Sequence, residues 1–484
     1  MPHGFKHTPS PVIRVSHREH PPAACYAGRV IAPLRGVPRR VRTGLGTAAL
    51  TLALPLCGCS APSAGPTQPT GPVEATGPAK TSGHSAAETE PAGTRGIDEA
   101  RAKEEAARIL DAVAAARNLE ATSAVEVTVT NKADIRAFAI ENMHEYITPE
   151  EMDLQGRISA RLGVIAPGAS LEQVLLNILD AGVLGFYDPK KKTLFIGDFI
   201  STNLLSQTVG HEIAHALQDM HFGLEPRMKP TLHRADLDSA ETFLIEGGAN
   251  AAYFAWVTGE DGLQAIDDAV LEASINQSLE LVSIMSESPV IARGLHLPYT
   301  AGAATVVRMV VQDGWKSVDA LYDDPPTTTE QMMHVDKLRA REPARGIRFD
   351  HDAVSKAFDK PVVWHDEFGE AQWLALLADV ESASVARRSA AGWGGDTLVA
   401  LEHEGGEMSV ALAVVMDDRS DADELEASLR KYADERIEGS TLLIRKRDTV
   451  VFASGIPQGA DRKALSGALW SALTVDARKK KGRR

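Results

Sequence analysis

Val209-Gly210-His211-Glu212-Ile213-Ala214-His215-Ala216-Leu217-Gln218 holds the densest chemistry in this 484-residue chain. His211 and His215 stand four residues apart in an apolar run. An α-helix places residues at that spacing one above the other on one face. Two imidazoles so placed make a clamp for a metal ion. Glu212 lies beside them, where it can take a proton from a metal-held water rather than bind the ion. Val209, Ile213, Ala214 and Leu217 carry no charge, so the helix belongs in a core. It is expected over about 204–222, with Gly223 to end it. The plainer alternative is a pair of helix histidines satisfied by hydrogen bonds.

Two histidines do not complete a tetrahedral site; a third protein ligand is needed, with water in the fourth position. Glu246 is the best candidate. It sits in a second helical stretch, about 240–257, flanked by Leu244, Ile245 and Ala249. A carboxylate in such company is costly to bury unless a cation compensates it. Gly247 and Gly248 would let this helix come close to the first. Glu241 competes, but it lies near the helix start, where the helix dipole favours a surface glutamate. His221 follows His215 by six residues, yet the spacer lacks the glycine that turns a chain back to the metal. It reads as one more helix residue pointing elsewhere. Asn250, one turn after Glu246, is placed to orient a ligand histidine through its side-chain oxygen.

Taken together, these two helices resemble the zincin metallopeptidases of gluzincin type, whose third ligand is a glutamate on a following helix. The stretch from His211 to Phe222 is similar to an H-E-x-x-H-A-L-Q-D-Q-H-F signature found in poorly characterised exported bacterial proteins. Gly185-Phe186-Tyr187-Asp188, Ile245-Glu246-Gly247-Gly248-Ala249, Pro298-Tyr299, Gly314-Trp315 and Leu321-Tyr322 with Pro325-Pro326 extend the likeness. So do Thr328-Thr329-Glu330-Gln331 with His334, and Gly392-Trp393-Gly394-Gly395-Asp396. The resemblance runs from about 180 to about 435. It departs at Met220, where the group often has glutamine, and at Gly248-Ala249-Asn250, where an aspartate is common. It implies a zinc peptidase with Zn²⁺ as cofactor and no particular substrate.

A peptidase also needs a donor for the developing oxyanion. Tyr299 and His334 are the candidates, against simple packing for the first and a surface position on a capped helix for the second. The hairpin expected over 185–196 offers an edge strand to an extended peptide, and its three lysines serve equally as edge protection. Trp315 and Trp393 read as core anchors.

Before this body lies a segment with the marks of export. Arg39, Arg40 and Arg42 precede an apolar run from Gly44 to Leu56, followed by Cys57-Gly58-Cys59. The pattern resembles a bacterial lipobox, which implies Cys59 as the acylated first residue and a membrane-anchored extracytoplasmic protein. The next residues, up to 96, are Pro, Gly, Ser, Thr and Ala, a composition that cannot bury enough surface to order itself and serves as a tether. Cys25, Cys57 and Cys59 are the three cysteines, so no thiol chemistry belongs to the folded body. The whole chain carries −15, and since residues 1–58 carry +7, the remainder carries −22. So acidic a body argues against nucleic-acid binding.

The expected architecture is α+β. Residues 1–58 are extension and signal peptide, and 59–97 the tether. Residues 98–345 form a mainly helical, zincin-like metallopeptidase domain with a small edge hairpin. Residues 346–475 hold helices and a small C-terminal α+β domain, and 476–484 a basic tail. The expected activity is zinc-dependent hydrolysis of peptide bonds in a peptide or protein substrate, cell-envelope proteins included. Two other readings stand beside it: a lipid-anchored binding or assembly protein with a degenerate or structural metal site, and a zinc amidase acting on cell-wall material.

Overall fold

The residues around the two histidines form a 21-residue helix, Thr202–Phe222, the histidine helix below. Gly223 ends it at φ 63°, a conformation that glycine adopts without steric cost. A computed structural model describes residues 96–259 and 262–477, apart from the side chains of 283–285. The expectations for the signal segment, Cys59, the tether up to 95 and the basic tail beyond 477 lie outside the described residues.

One stripe of the histidine helix is apolar. Val209, Ile213 and Leu217 pack with Ile109 and Val113 of the helix Glu99–Arg117, and with Val127, Leu194 and Ile196. The last three come from a small sheet of β1 (Glu126–Thr130), β2 (Gly185–Asp188) and β3 (Thr193–Gly197), in the order β1-β3-β2. β1 runs parallel to β3, and β2 and β3 form the expected antiparallel hairpin. The other side of the histidine helix meets Ala235–Thr258, the glutamate helix. Gly248 makes that approach possible, because a Cβ there would lie 2.6 Å from Gln218 Nε2. Gly247 faces another way: a Cβ on it would meet the Gly302 carbonyl carbon at 2.4 Å. It therefore serves contact with the π-helical turn Pro298–Gly302, not with the histidine helix.

The chain is mixed α+β and mainly helical. The C-terminal part holds β4 (Ile347–Phe349), β5 (Val362–Asp366), β6 (Trp393–Glu402), β7 (Met408–Met416), β8 (Thr441–Lys446), β9 (Thr449–Ser454) and β10 (Leu473–Val475). β5 to β9 make an antiparallel sheet in the order β5-β6-β7-β9-β8, and β10 pairs with β4. Successive side chains on a strand face opposite sides. Val399, Ala411, Ala413 and Val451 meet the helices His351–Phe358 and Arg462–Ala472. Leu398, Val410, Leu412 and Phe452 face the other way, into a core that also holds Leu154, Phe243 and Leu297 of the helical body. The central strands are apolar on both faces because both faces are covered. The core does not break near residue 345; one hydrophobic cluster spans the expected domain boundary.

The Gly392–Asp396 motif sits where the two parts join. Asp396 accepts from Phe368 N at 2.7 Å, Gly369 N at 3.0 Å, Trp373 Nε1 at 2.8 Å and Trp393 Nε1 at 2.7 Å. Trp393 is an anchor as expected, and Asp396 is what it anchors to. Trp315 is half-buried, with the Arg117 guanidinium 4.3 Å from its ring centroid.

Candidate metal centre

On the histidine helix, His211, His215 and Gln218 form a polar stripe beside the apolar one. On the glutamate helix, Glu246 faces them. His215 Nε2 is 3.0 Å from Glu246 Oε2, His211 Nε2 is 3.4 Å from the same oxygen, and the two Nε2 atoms are 3.1 Å apart. Two ligands on a tetrahedron with bonds of about 2.0–2.1 Å stand roughly 3.3 Å apart. The three atoms therefore mark one face of such a tetrahedron, and this buried group could hold a metal ion. The imidazole planes are nearly perpendicular, at 87°, which lets both nitrogens aim at one point.

The far nitrogen of His215 has a partner. Gln218 Nε2 donates to the Ile245 carbonyl at 2.8 Å and to Tyr322 Oη at 2.9 Å. A carbonyl can only accept, so the orientation of the amide is fixed. Gln218 Oε1 must then accept from His215 Nδ1, 2.9 Å away. That places a proton on Nδ1 and turns the Nε2 lone pair toward Glu246. Asn250 stands close to His211. Its Nδ2 donates to the Tyr299 carbonyl at 2.8 Å. Burial lowers the pKa of His211, which keeps that ring neutral, as a ligand must be. The His215 Nε2 lone pair, His211 Nε2 and the Glu246 oxygen thus meet in one small space. A proton can bridge two such atoms; a metal cation can bridge three.

Glu212 accepts from Tyr187 N at 2.8 Å through Oε2. That amide lies on the outer side of β2, all four residues of which are buried. The hairpin edge is therefore turned into the protein, against the expectation that it receives a peptide. Its lysines have partners as well. Lys192 Nζ reaches Asp219 Oδ2 at 2.5 Å, beside the Tyr187 hydroxyl at 2.9 Å. Lys191 lies over the Phe138 ring at 4.6 Å, and Lys190 is 3.8 Å from Glu145. They pin the hairpin rather than guard an exposed edge.

Tyr299 is buried in the π-helical turn, its ring centroid 5.8 Å from that of His211. It is also a wall of a cavity of about 280 Å³, which Thr242 and Phe243 line from the glutamate helix and Trp364 lines from β5. His334 is elsewhere: its Nε2 meets both oxygens of Glu370, at 2.8 and 3.0 Å. His221 contacts the Glu120 carbonyl at 2.8 Å, and Glu241 binds Arg227 at 2.9 Å. Neither joins the triad. Sequence reasoning missed Gln218, although it was quoted in the motif. Its spacing of three from His215 was the available signal.

His211, Glu212, His215 and Glu246 are each 1% exposed or less. Among the described residues, no helix is long and apolar enough to cross a membrane. Residues 360–467 match the model of a domain of unknown function, DUF8575; the match covers β5 to β9 and leaves out the metal centre. No curated protein and no solved structure matches the chain.

Proposed function

We propose that this protein is a zinc-dependent peptide hydrolase of gluzincin type, exported and held on the extracytoplasmic face of a membrane by a lipid on Cys59. The convergence of His211 Nε2, His215 Nε2 and Glu246 Oε2 within 3.0–3.4 Å of one another carries the catalytic part of this reading. Two imidazoles and one carboxylate form a ligand set that suits zinc. Bound there, zinc supplies Lewis acidity and lowers the pKa of its water toward about 7.

The chain's own groups do the rest. Gln218 holds the His215 imidazole by its far nitrogen, and Asn250 stands beside His211. The Tyr187 amide steers the Glu212 carboxylate, whose other oxygen takes the proton and returns it to the leaving amine. Tyr299, in ring contact with His211, is the donor to the developing oxyanion. The substrate is a peptide or protein within reach of a membrane-tethered body, cell-envelope proteins included. The arginines, apolar run and cysteines of residues 39–59 support that placement.

The test is a peptide-library digest by the purified chain, with and without chelator, alongside metal analysis. Glu212→Gln should keep the metal and lower turnover about 10²- to 10⁴-fold. Hydrolysis by Glu212→Gln at the wild-type rate, or a chain that neither carries nor takes up zinc, sinks the reading. The sealed state of the centre favours one alternative, a structural ion that staples two helices. In that case a chelator lowers the unfolding midpoint, and no peptide is cut at any metal concentration.

A further inference from the structure

The stretch before His334 plays no part in the metal centre, yet it is held firmly. Thr328 caps the short helix Thr329–Met333 through the amide of Gln331. Thr329 donates to buried Asp236 through its amide at 3.0 Å and its hydroxyl at 2.6 Å. Gln331 Nε2 donates to the Glu342 carbonyl at 2.8 Å. These bonds fix the place of His334 against the buried Glu370 carboxylate. Burial works against the charged imidazole, but Glu370 outweighs it, and the pKa of His334 is raised.

This pair lines a cleft of about 340 Å³, shared with Arg308, Arg387 and Arg388. The three guanidiniums are oriented by groups outside the cleft lining. Arg308 gives Nε to Asp268 at 2.7 Å and Nη2 to Glu272 at 2.6 Å. Arg387 pairs with Glu272 and gives Nη1 to Asn276 at 3.3 Å. Arg388 stands 3.8 Å from Glu424. A guanidinium carries five N–H donors, so each has donors beyond those bonds. Glu370 is the one carboxylate in the lining, and His334 covers it. The lining of the cleft thus gathers three guanidiniums and His334 together with the apolar Ile275 and Met333.

We propose that this cleft binds an organic phosphate, its phosphate group held by Arg308, Arg387, Arg388 and His334 and its apolar body laid against Ile275 and Met333. One guanidinium satisfies a carboxylate with two parallel bonds; several forks around one cleft suit a group with three acceptor oxygens and a charge near −2. The inference is independent of the zinc reading, because no triad residue lines the cleft.

The experiment is calorimetric titration of the full chain with phenyl phosphate, inorganic phosphate and benzoate, each with and without chelator. Phenyl phosphate should bind one site per chain, about tenfold tighter than either other probe, and chelator should not change this. Arg388→Gln and Arg387→Gln should each weaken it about tenfold. The Arg388 side chain is 61% exposed, so its replacement leaves the fold intact; the ligand-free unfolding midpoint checks this for both variants. Cosedimentation with phosphatidic acid vesicles, lost in Arg388→Gln, supports the site with a lipid headgroup as its source. Phenyl phosphate binding without cosedimentation supports it with a soluble ester as the source. Absence of saturable phenyl phosphate binding overturns the proposal. So does binding that both arginine variants leave unchanged, or benzoate binding as tightly.

Discussion

Glu246 and Asp396 are both carboxylates shut away from water, and they are accommodated in opposite ways. Asp396 is met by four N–H donors from Phe368, Gly369, Trp373 and Trp393. Burial still lifts its pKa to about 6, but every partner it needs comes from the chain, and it ties the helical body to the sheet. Glu246 faces two imidazole nitrogens, at least one of which presents a lone pair because Gln218 fixes its tautomer. A metal cation gripped by all three groups would balance it. Burial alone therefore does not mark a functional carboxylate. What marks it is the donor set around it.

The sharpest test of that contrast is His215→Ala. It should abolish stoichiometric zinc, read by metal analysis, while circular dichroism keeps its helical signal; loss of the fold as well would make the two carboxylates alike. Asp396→Ala should do the reverse. Four donors lose their acceptor, and urea unfolding should show a loss of about 3–5 kcal/mol, with zinc per folded chain unchanged. Gln218→Ala comes next. It removes the partner of His215 Nδ1 without removing a ligand, and should weaken zinc about 10- to 100-fold in a competition titration.

A fourth test concerns a group that has neither remedy. The contact found for His296 Nδ1 is the Ser278 hydroxyl, at 2.6 Å. Burial lowers its pKa to about 4, against about 6.5 in an unfolded chain. Between those values the unfolded state binds more protons, so stability is complete above pH 6.5 and falls as the pH drops toward 4. The loss should be about 3 kcal/mol, read from unfolding midpoints across that range, and absent in His296→Gln.

The triad was legible because each part of it is a local pattern. His211 and His215 share a helix face by period alone, and Glu246 stands out as one carboxylate in an apolar run. Gln218 was not legible, since its role depends on where the Ile245 carbonyl of another helix falls. His334 misled for the same reason. A histidine after a capped helix looks available, and only the fold brings Glu370 to it. The hairpin was read correctly as a hairpin, but not the direction its edge faces, which the Tyr187 amide and Glu212 decide. β4 and β10 are three residues each and pair across more than a hundred positions, too short and too distant for an alternating pattern to announce. The boundary near 345 came from a change in texture, and texture does not record which side chains share a core.

That undivided interior has a practical corollary for anyone trimming the gene. A fragment ending near 345 would lose Leu398 and Phe452 from the core they share with Phe243 and Leu297, and should precipitate rather than behave as a minimal enzyme. The stretch 360–467, expressed by itself, would inherit the matching raw surface and lose both strands of the β4–β10 ribbon. In this chain the recurring unit is not a detachable one.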